Sequence, residues 1–185
     1  RAIGHRRRQF VLSTKVGETF RDGRSSYDFS RQAVEASVHR SLKRLKTDVL
    51  DLVFIHSNGD DLTILRQTDV VETLLALRDR GDVRAIGLSG KTVQGARAAL
   101  PWADALMVEY HLNDRSHETV IEEAGRAGLG VVVKKGLASG RLAPALAIPF
   151  VISNRFVSSL VIGGVNLAHI RANLQLAASS DRLAG

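Results

Sequence analysis

Short apolar runs alternate along the chain with longer stretches in which apolar residues recur every three or four positions, the two periods of buried strand and amphipathic helix. The first run, residues 10–16 (FVLSTKV), is β-branched and closed by Gly17, and predicts a buried strand. Residues 18–28 follow, rich in Gly, Arg, Asp and Ser and without an apolar period, and predict a surface loop. Ser30 then offers an N-cap to a helix whose inward stripe is Ala33, Val34, Ser37, Val38, Ser41, Leu42 and Leu45.

The alternation repeats to the end. Strands are expected over 49–56, 83–88, 105–110, 129–134 and 157–162, and helices over 69–80, 92–100, 116–127, 144–152 and from the Asn166 cap to 177. Gly81 and Gly128 stop two of the helices. Six strands alternating with six helices require helical crossovers and a mainly parallel sheet, and no composition break divides the chain, so 1–185 reads as a single domain. A doubly wound sheet would carry a Gly-rich phosphate turn after its first strand. Lys15-Val16-Gly17-Glu18-Thr19 is not one, and a long polar stretch follows it instead of a helix. A (β/α)8 TIM barrel uses roughly 31 residues per unit, so this length holds about six units. The expected fold is therefore α/β, a (β/α)8 barrel represented by six βα units, with an open edge where two are lacking.

Composition changes this picture little. There are 26 Lys plus Arg against 19 Asp plus Glu, a formal charge of +7, but aromatics are only 5% and do not interleave with the basic clusters. A base-stacking surface is therefore not expected, and nucleic acid is not an expected partner. The run Arg6, Arg7, Arg8 lies at a ragged start, while Lys43, Arg44 and Lys46 fall where cations favour a helix C-terminus. With no Cys, disulfides, thiolate metal sites and cysteine nucleophiles are excluded, and a cytoplasmic location is expected. No apolar run reaches the roughly 20 residues that cross a bilayer, so no membrane partner is expected. His56, His111 and His117 lack metal-ligand spacing, so no metal is expected.

In a barrel the C-terminal ends of the strands line the active site. Those positions carry Lys15, His56, Ser89 with Gly90, Glu109 to His111, Lys134 with Lys135, and Gly163 with Gly164. A Lys and a His at one mouth can polarise a carbonyl oxygen or tune a nearby acid. Each also has a plainer reading: a solvated strand-end lysine, a hydrogen-bonded structural histidine ahead of a flexible SNGDD segment, a charge pair at an edge. Glu109 is expected to pair with one of the two lysines, and Gly163-Gly164 is a turn or a phosphate cradle ahead of the Asn166 helix.

The segments VLSTKVG (11–17), RSLKRLKTDVLDLVFIH (40–56), GDVRAIGLSG (81–90), VEYHLNDRS (108–116), GLGVVVKKGLASGRL (128–142) and VSSLVIGGVNLAHIRANL (157–174) resemble successive segments of the aldo-keto reductases, in the family's order and spacing. The resemblance implies a (β/α)8 barrel that transfers a hydride from NADPH, sometimes NADH, to an aldehyde or ketone without a metal. It implies a catalytic Asp, Tyr, Lys and His, in which the Tyr donates the proton, the Asp-paired Lys lowers its pKa and the His orients the substrate. Lys15 matches the Lys and His56 the His. The chain starts with Arg, and the Asp and Tyr are expected in two βα units preceding it; Tyr27 and Asp28 stand in the wrong order and in a later segment.

The resemblance also implies cofactor contacts. Ser89 matches the serine that holds the nicotinamide carboxamide, with Gly90 in place of the usual Asn, and Met107 stands where a Gln is common. Lys134 replaces an aromatic that stacks on the nicotinamide ring, and Leu137, Ser139 and Gly140 belong to the loop over the pyrophosphate. Gly163 and Gly164 replace residues that grip the 2′-phosphate, His169 stands for an Arg, and Asn173 keeps the adenine position. NADP(H) is the implied cofactor, with NAD(H) as the alternative. The expected activity is reduction of a small-molecule carbonyl substrate, and the competing expectation is a nucleotide-binding relative without turnover. Neither the individual substrate nor the oligomeric state is legible.

Overall fold

Asp51 shows how the chain begins its sheet. A computed structural model describes residues 4–181, opening with a 3-10 segment, Gly4–Gln9. Asp51 accepts from the Leu12 N–H at 2.8 Å and pairs with Arg7 at 2.7 Å and Arg84 at 3.0 Å. Arg7 also donates to the Val49 carbonyl at 2.9 Å, so this member of the basic run is tied to the sheet. With Leu12 engaged in this way, the first strand, β1, is Ser13–Val16, shorter than the apolar run that announced it.

The chain forms two compact units, Arg1–Ala105 and Leu106–Gly185. In the first, β1 is followed by β2 (Glu18–Arg21) and β3 (Arg24–Tyr27), an antiparallel hairpin with Glu18 opposite Tyr27. This corrects the expected loop over 18–28. Alternation failed to reveal the hairpin because almost every residue in it is exposed and no apolar face marks a period. Helix α1 (Arg31–Leu45) starts as expected at Ser30, whose side chain accepts from the Ala33 N–H, and ends on Lys46 in the left-handed region. Strand β4 (Leu50–His56) then pairs in parallel with β1, and β5 (Val83–Ser89) with β4. Between them lie α2 (Asp61–Gln67) and α3 (Val70–Asp79). Helix α2 corrects the flexible SNGDD segment, since Asp60 and Asp61 open an ordered helix. Helix α4 (Val93–Ala99) is capped by Thr92.

Strand β6 (Ala105–Glu109) leads from the first unit into the second, which continues with α5 (Glu118–Arg126), β7 (Gly130–Lys134), α6 (Pro144–Ile152), β8 (Ser159–Leu160) and α7 (Leu167–Asp181). Strand β8, parallel to β7, keeps two of the six residues expected. Pro144 sits at the first helical position of α6, where its missing N–H costs nothing. Asn166 caps α7 by accepting from the Ala168 N–H at 2.9 Å, as the sequence indicated. Six βα units therefore follow one another. Each unit has its own core: Phe54, Leu74, Leu77 and Ile86 in the first, Leu106, Ile121, Val133 and Ile148 in the second, all within 1% of full burial. Among the described residues no helix is long and apolar enough to cross a membrane.

Candidate active site

Parallel register decides which side chains share a face, because registered partners and residues two apart point the same way. Lys15 is registered with Phe54 and Phe54 with Gly87, while His56 is registered with Ser89. Lys15, Phe54 and Gly87 thus form one row, and His56 and Ser89 form the next row toward the strand ends. Val16, Ile55 and Leu88 point the other way and are at most 1% exposed. Gly87 makes room for the row below the site: a Cβ there would fall on the Ala105 carbonyl oxygen and within 2.9 Å of Phe54 Cε1. Phe54, 1% exposed, is the apolar floor under His56.

The hairpin brings a carboxylate to this face. Gly17, at φ +100°, turns the chain out of β1, and Glu18 follows at once. Glu18 Oε1 accepts from Ser25 Oγ at 2.5 Å and from Tyr27 OH at 3.3 Å, and Oε2 lies 2.6 Å from His56 Nδ1. The Ser25 hydrogen bond holds the Glu18 carboxyl below the usual carboxylate value; partial burial opposes it, and the charge of His56, the Tyr27 hydroxyl and Lys15 reinforce it. Lys15 is half-buried. Burial pulls its ammonium below the ordinary lysine value, and the Glu18 charge works against that pull. The structure thus joins Lys15 and His56 on one face and adds Glu18, which sequence reasoning passed over. The available signal was a carboxylate immediately after the strand-ending glycine.

A second carboxylate shapes the turn behind Ser89. Asp61, 1% exposed, accepts from the Thr92 N–H and Thr92 Oγ at 2.7 Å each and from the Lys91 N–H at 3.0 Å. Burial pushes its carboxyl up, but hydrogen bonds from Ser57, Thr92 and Lys91 outweigh it and the net direction is down. Gly95 permits this anchorage, because a Cβ there would overlap the Asp61 side chain. Ser89 itself is fully buried, and its carbonyl accepts from the Ser57 N–H at 3.3 Å.

In the second unit, Met107 is buried at 7% exposure in β6, and Lys134 ends β7 half-buried. Glu109 pairs with Lys135 at 2.7 Å and lies 3.3 Å from His111 Nε2, the lysine partnership the sequence indicated. Burial raises the Glu109 carboxyl, and Lys135 and His111 more than reverse it. Leu137 leads into a turn where Ala138, Ser139 and Gly140 all have positive φ, 48°, 59° and 88°. Non-glycine residues in that region are strained, a state retained where the backbone itself is put to use.

A cavity of about 1050 Å³ in this unit is lined by Leu137, Gly163, Gly164, His169 and Asn173 among others. Five of the residues expected to hold a nucleotide are thus together, with Ser139 and Gly140 in the adjoining turn. The volume is at the upper end for small-molecule sites. Gly163 has no left-handed φ, and nothing lies within 4 Å of where its Cβ would be, so the fold itself does not demand glycine there. A ligand backbone or phosphate brought close to the chain would demand it. Aliphatic side chains, among them Ile148, Leu160 and Ile170, make up most of the rest of the lining, so the cavity offers an apolar wall with His169 and Asn173 as its polar groups.

The Aldo/keto reductase family model matches residues 1–145. Among solved structures, one from Pseudomonas aeruginosa, assigned to the aldo-keto reductases, is 43% identical with a TM-score of 0.92, covering 96% of this chain and 71% of that one. D-arabinose 1-dehydrogenase of Saccharomyces cerevisiae is 37% identical over 49% of this chain and 27% of its own length. D-threo-aldose 1-dehydrogenase of a Pseudomonas species is 24% identical over 93% of this chain and 71% of its own. The chain thus spans between about a quarter and seven tenths of the length of these proteins. The six βα units agree with the part-barrel expected from the sequence, and the chain belongs to the aldo/keto reductase family.

Proposed function

We propose that the protein is an NAD(P)H-dependent oxidoreductase that reduces an aldehyde or ketone to an alcohol in the cytoplasm, a compartment its cysteine-free sequence permits. The observation that carries this reading is the shared face of Lys15 and His56, in successive rows above the Phe54 floor. When bound, the nicotinamide supplies a hydride to the carbonyl carbon. His56 orients the substrate oxygen, and the Lys15 ammonium stabilises the negative charge that grows there as the hydride arrives; the proton that completes the alcohol would come from the tyrosine the family resemblance implies, whose pKa the lysine lowers. Phe54 and the other buried residues of the row exclude water from beneath, which strengthens both interactions.

The nucleotide-holding residues follow from the resemblance. Ser89, Met107 and Lys134 are assigned to the nicotinamide end, and Leu137, Ser139 and Gly140 to the pyrophosphate. Gly163, Gly164, His169 and Asn173 take the adenosine end, where the glycines admit a close-lying phosphate and Asn173 offers both donor and acceptor to the adenine. NADP(H) is the first choice and NAD(H) the alternative, because His169 is a weaker phosphate partner than the family's Arg. Two relatives are named as sugar 1-dehydrogenases, so aldoses join simple aldehydes and ketones as candidate substrates.

The test is equilibrium binding of NADPH and NADH, followed by carbonyl-dependent oxidation of the bound nucleotide across aldehydes, ketones and aldoses. Turnover with any of them supports the proposal. Tight nucleotide binding without turnover of any carbonyl supports the second reading, a nucleotide-binding relative. Absence of binding removes both.

A further inference from the structure

Glu18 divides its two oxygens between different partners. Oε1 is held by its own hairpin, through Ser25 Oγ at 2.5 Å and Tyr27 OH at 3.3 Å, and Oε2 reaches His56 Nδ1 at 2.6 Å on β4. The hairpin has little structural reason for such a contact. Phe20 is 70% exposed, Tyr27 is 37% exposed, and all four residues of β3 are exposed, so the element buries almost no apolar surface. The carboxylate–imidazole pair, in contrast, is sheltered, with side chains 20% and 32% exposed.

A carboxylate only accepts hydrogen bonds, so at this separation Nδ1 carries the proton of the pair, and in a neutral ring that leaves Nε2 without one. The nitrogen not committed to Glu18 is then Nε2, in a ring whose rotation the hairpin restrains. We infer that Glu18 is a positioning residue for His56: the hairpin carboxylate selects the Nδ1–H tautomer and fixes the plane of the imidazole. This deepens the proposed carbonyl-reducing role of His56 and rests on it only for its catalytic consequence. Ser25 and Tyr27 serve the same end one step further out, by keeping the carboxylate from turning away. At metal-bound histidines, carboxylate partners of this kind are typically worth about ten- to a hundredfold, and the same scale is expected here.

The deciding measurement is a nitrogen–proton correlation spectrum of the imidazole rings in the 15N-labelled chain, above the pH at which the rings are charged. His56 is assigned by the signals lost in His56→Gln. The native protein is expected to show His56 as Nδ1–H, and Glu18→Ala to raise the share of the Nε2–H form. Should Glu18→Ala not fold, Glu18→Gln keeps the shape and removes the charge, and the strongly deshielded Nδ1 proton of the charge-assisted bond is expected to move upfield. A native His56 in the Nε2–H form, or a spectrum unchanged by both substitutions, overturns the inference. Once a substrate is in hand, Glu18→Ala is expected to lower kcat/KM about tenfold or more while the nucleotide Kd holds; an unchanged kcat/KM overturns the catalytic consequence. A chain that turns over nothing defeats the proposed function and leaves the tautomer result to be judged alone.

Discussion

Lys15 sits one row before His56 on the same sheet face, half-buried, with its ammonium weakened by burial and supported by the charge of Glu18. A cation placed there is most useful when negative charge grows on a substrate oxygen, and least useful for binding the nucleotide. Lys15→Met is therefore expected to lower kcat about 10²–10³-fold with the nucleotide Kd nearly unchanged, which steady-state kinetics and titration together check. The same side chain leaves a mark on stability. Its folded pKa lies below its unfolded one, so between the two values the unfolded chain binds the extra proton, and stability rises with pH across that window. Lys15→Met is expected to abolish this rise in denaturation curves collected at increasing pH. Asp61 has the same sign, in an acid window instead of an alkaline one. Its carboxyl is depressed in the fold, so its contribution is present above the unfolded value and lost as pH falls through the folded one. Asp61→Asn, which strips charge from hydrogen bonds to Lys91 and Thr92, is expected to cost about 1.5–3 kcal/mol at neutral pH. Urea denaturation should show that gap closing in acid.

At the scale of elements, burial on one face is what made a segment legible. Helices α1 and α3 and strands β4, β5 and β7 show their periods openly because one stripe or both faces meet a core, and they appear within a residue or two of their expected bounds. The hairpin buries neither face, α2 has only seven residues, and the Val157–Ile162 run spends its apolar residues without extending β8. Lys15 and His56 were legible as strand ends, whereas Glu18 was not, because its meaning comes from a hairpin that no period announced. Asp61 was hidden for the same reason, inside a segment that composition marks as loose. Gly87 is an element-scale constraint: any side chain there must push β5 away from the Ala105 carbonyl or displace Phe54. Gly87→Ala is expected to destabilise the chain by about 1–3 kcal/mol, read as a lower urea midpoint with an unchanged slope.

Over the whole molecule the formal charge of +7 supplies a positive field. A dinucleotide carrying two or three phosphates is the anion such a field would favour. The Kd for NADPH is expected to weaken as salt is raised, and more steeply than that for NADH, in titrations at matched pH. Equal slopes would mean that the extra phosphate finds no cation. The hairpin turn has a consequence for chain length itself. Asp22 and Gly23, at φ 51° and 76°, make a two-residue turn that puts Tyr27 opposite Glu18 and Ser25 on the same side. One residue more or fewer would present the other side of β3, facing Glu18 with the wrong neighbours while leaving every residue of the sheet in place. The spacing between β1 and α1 therefore acts as a gauge, cut to one length by the carboxylate it has to deliver.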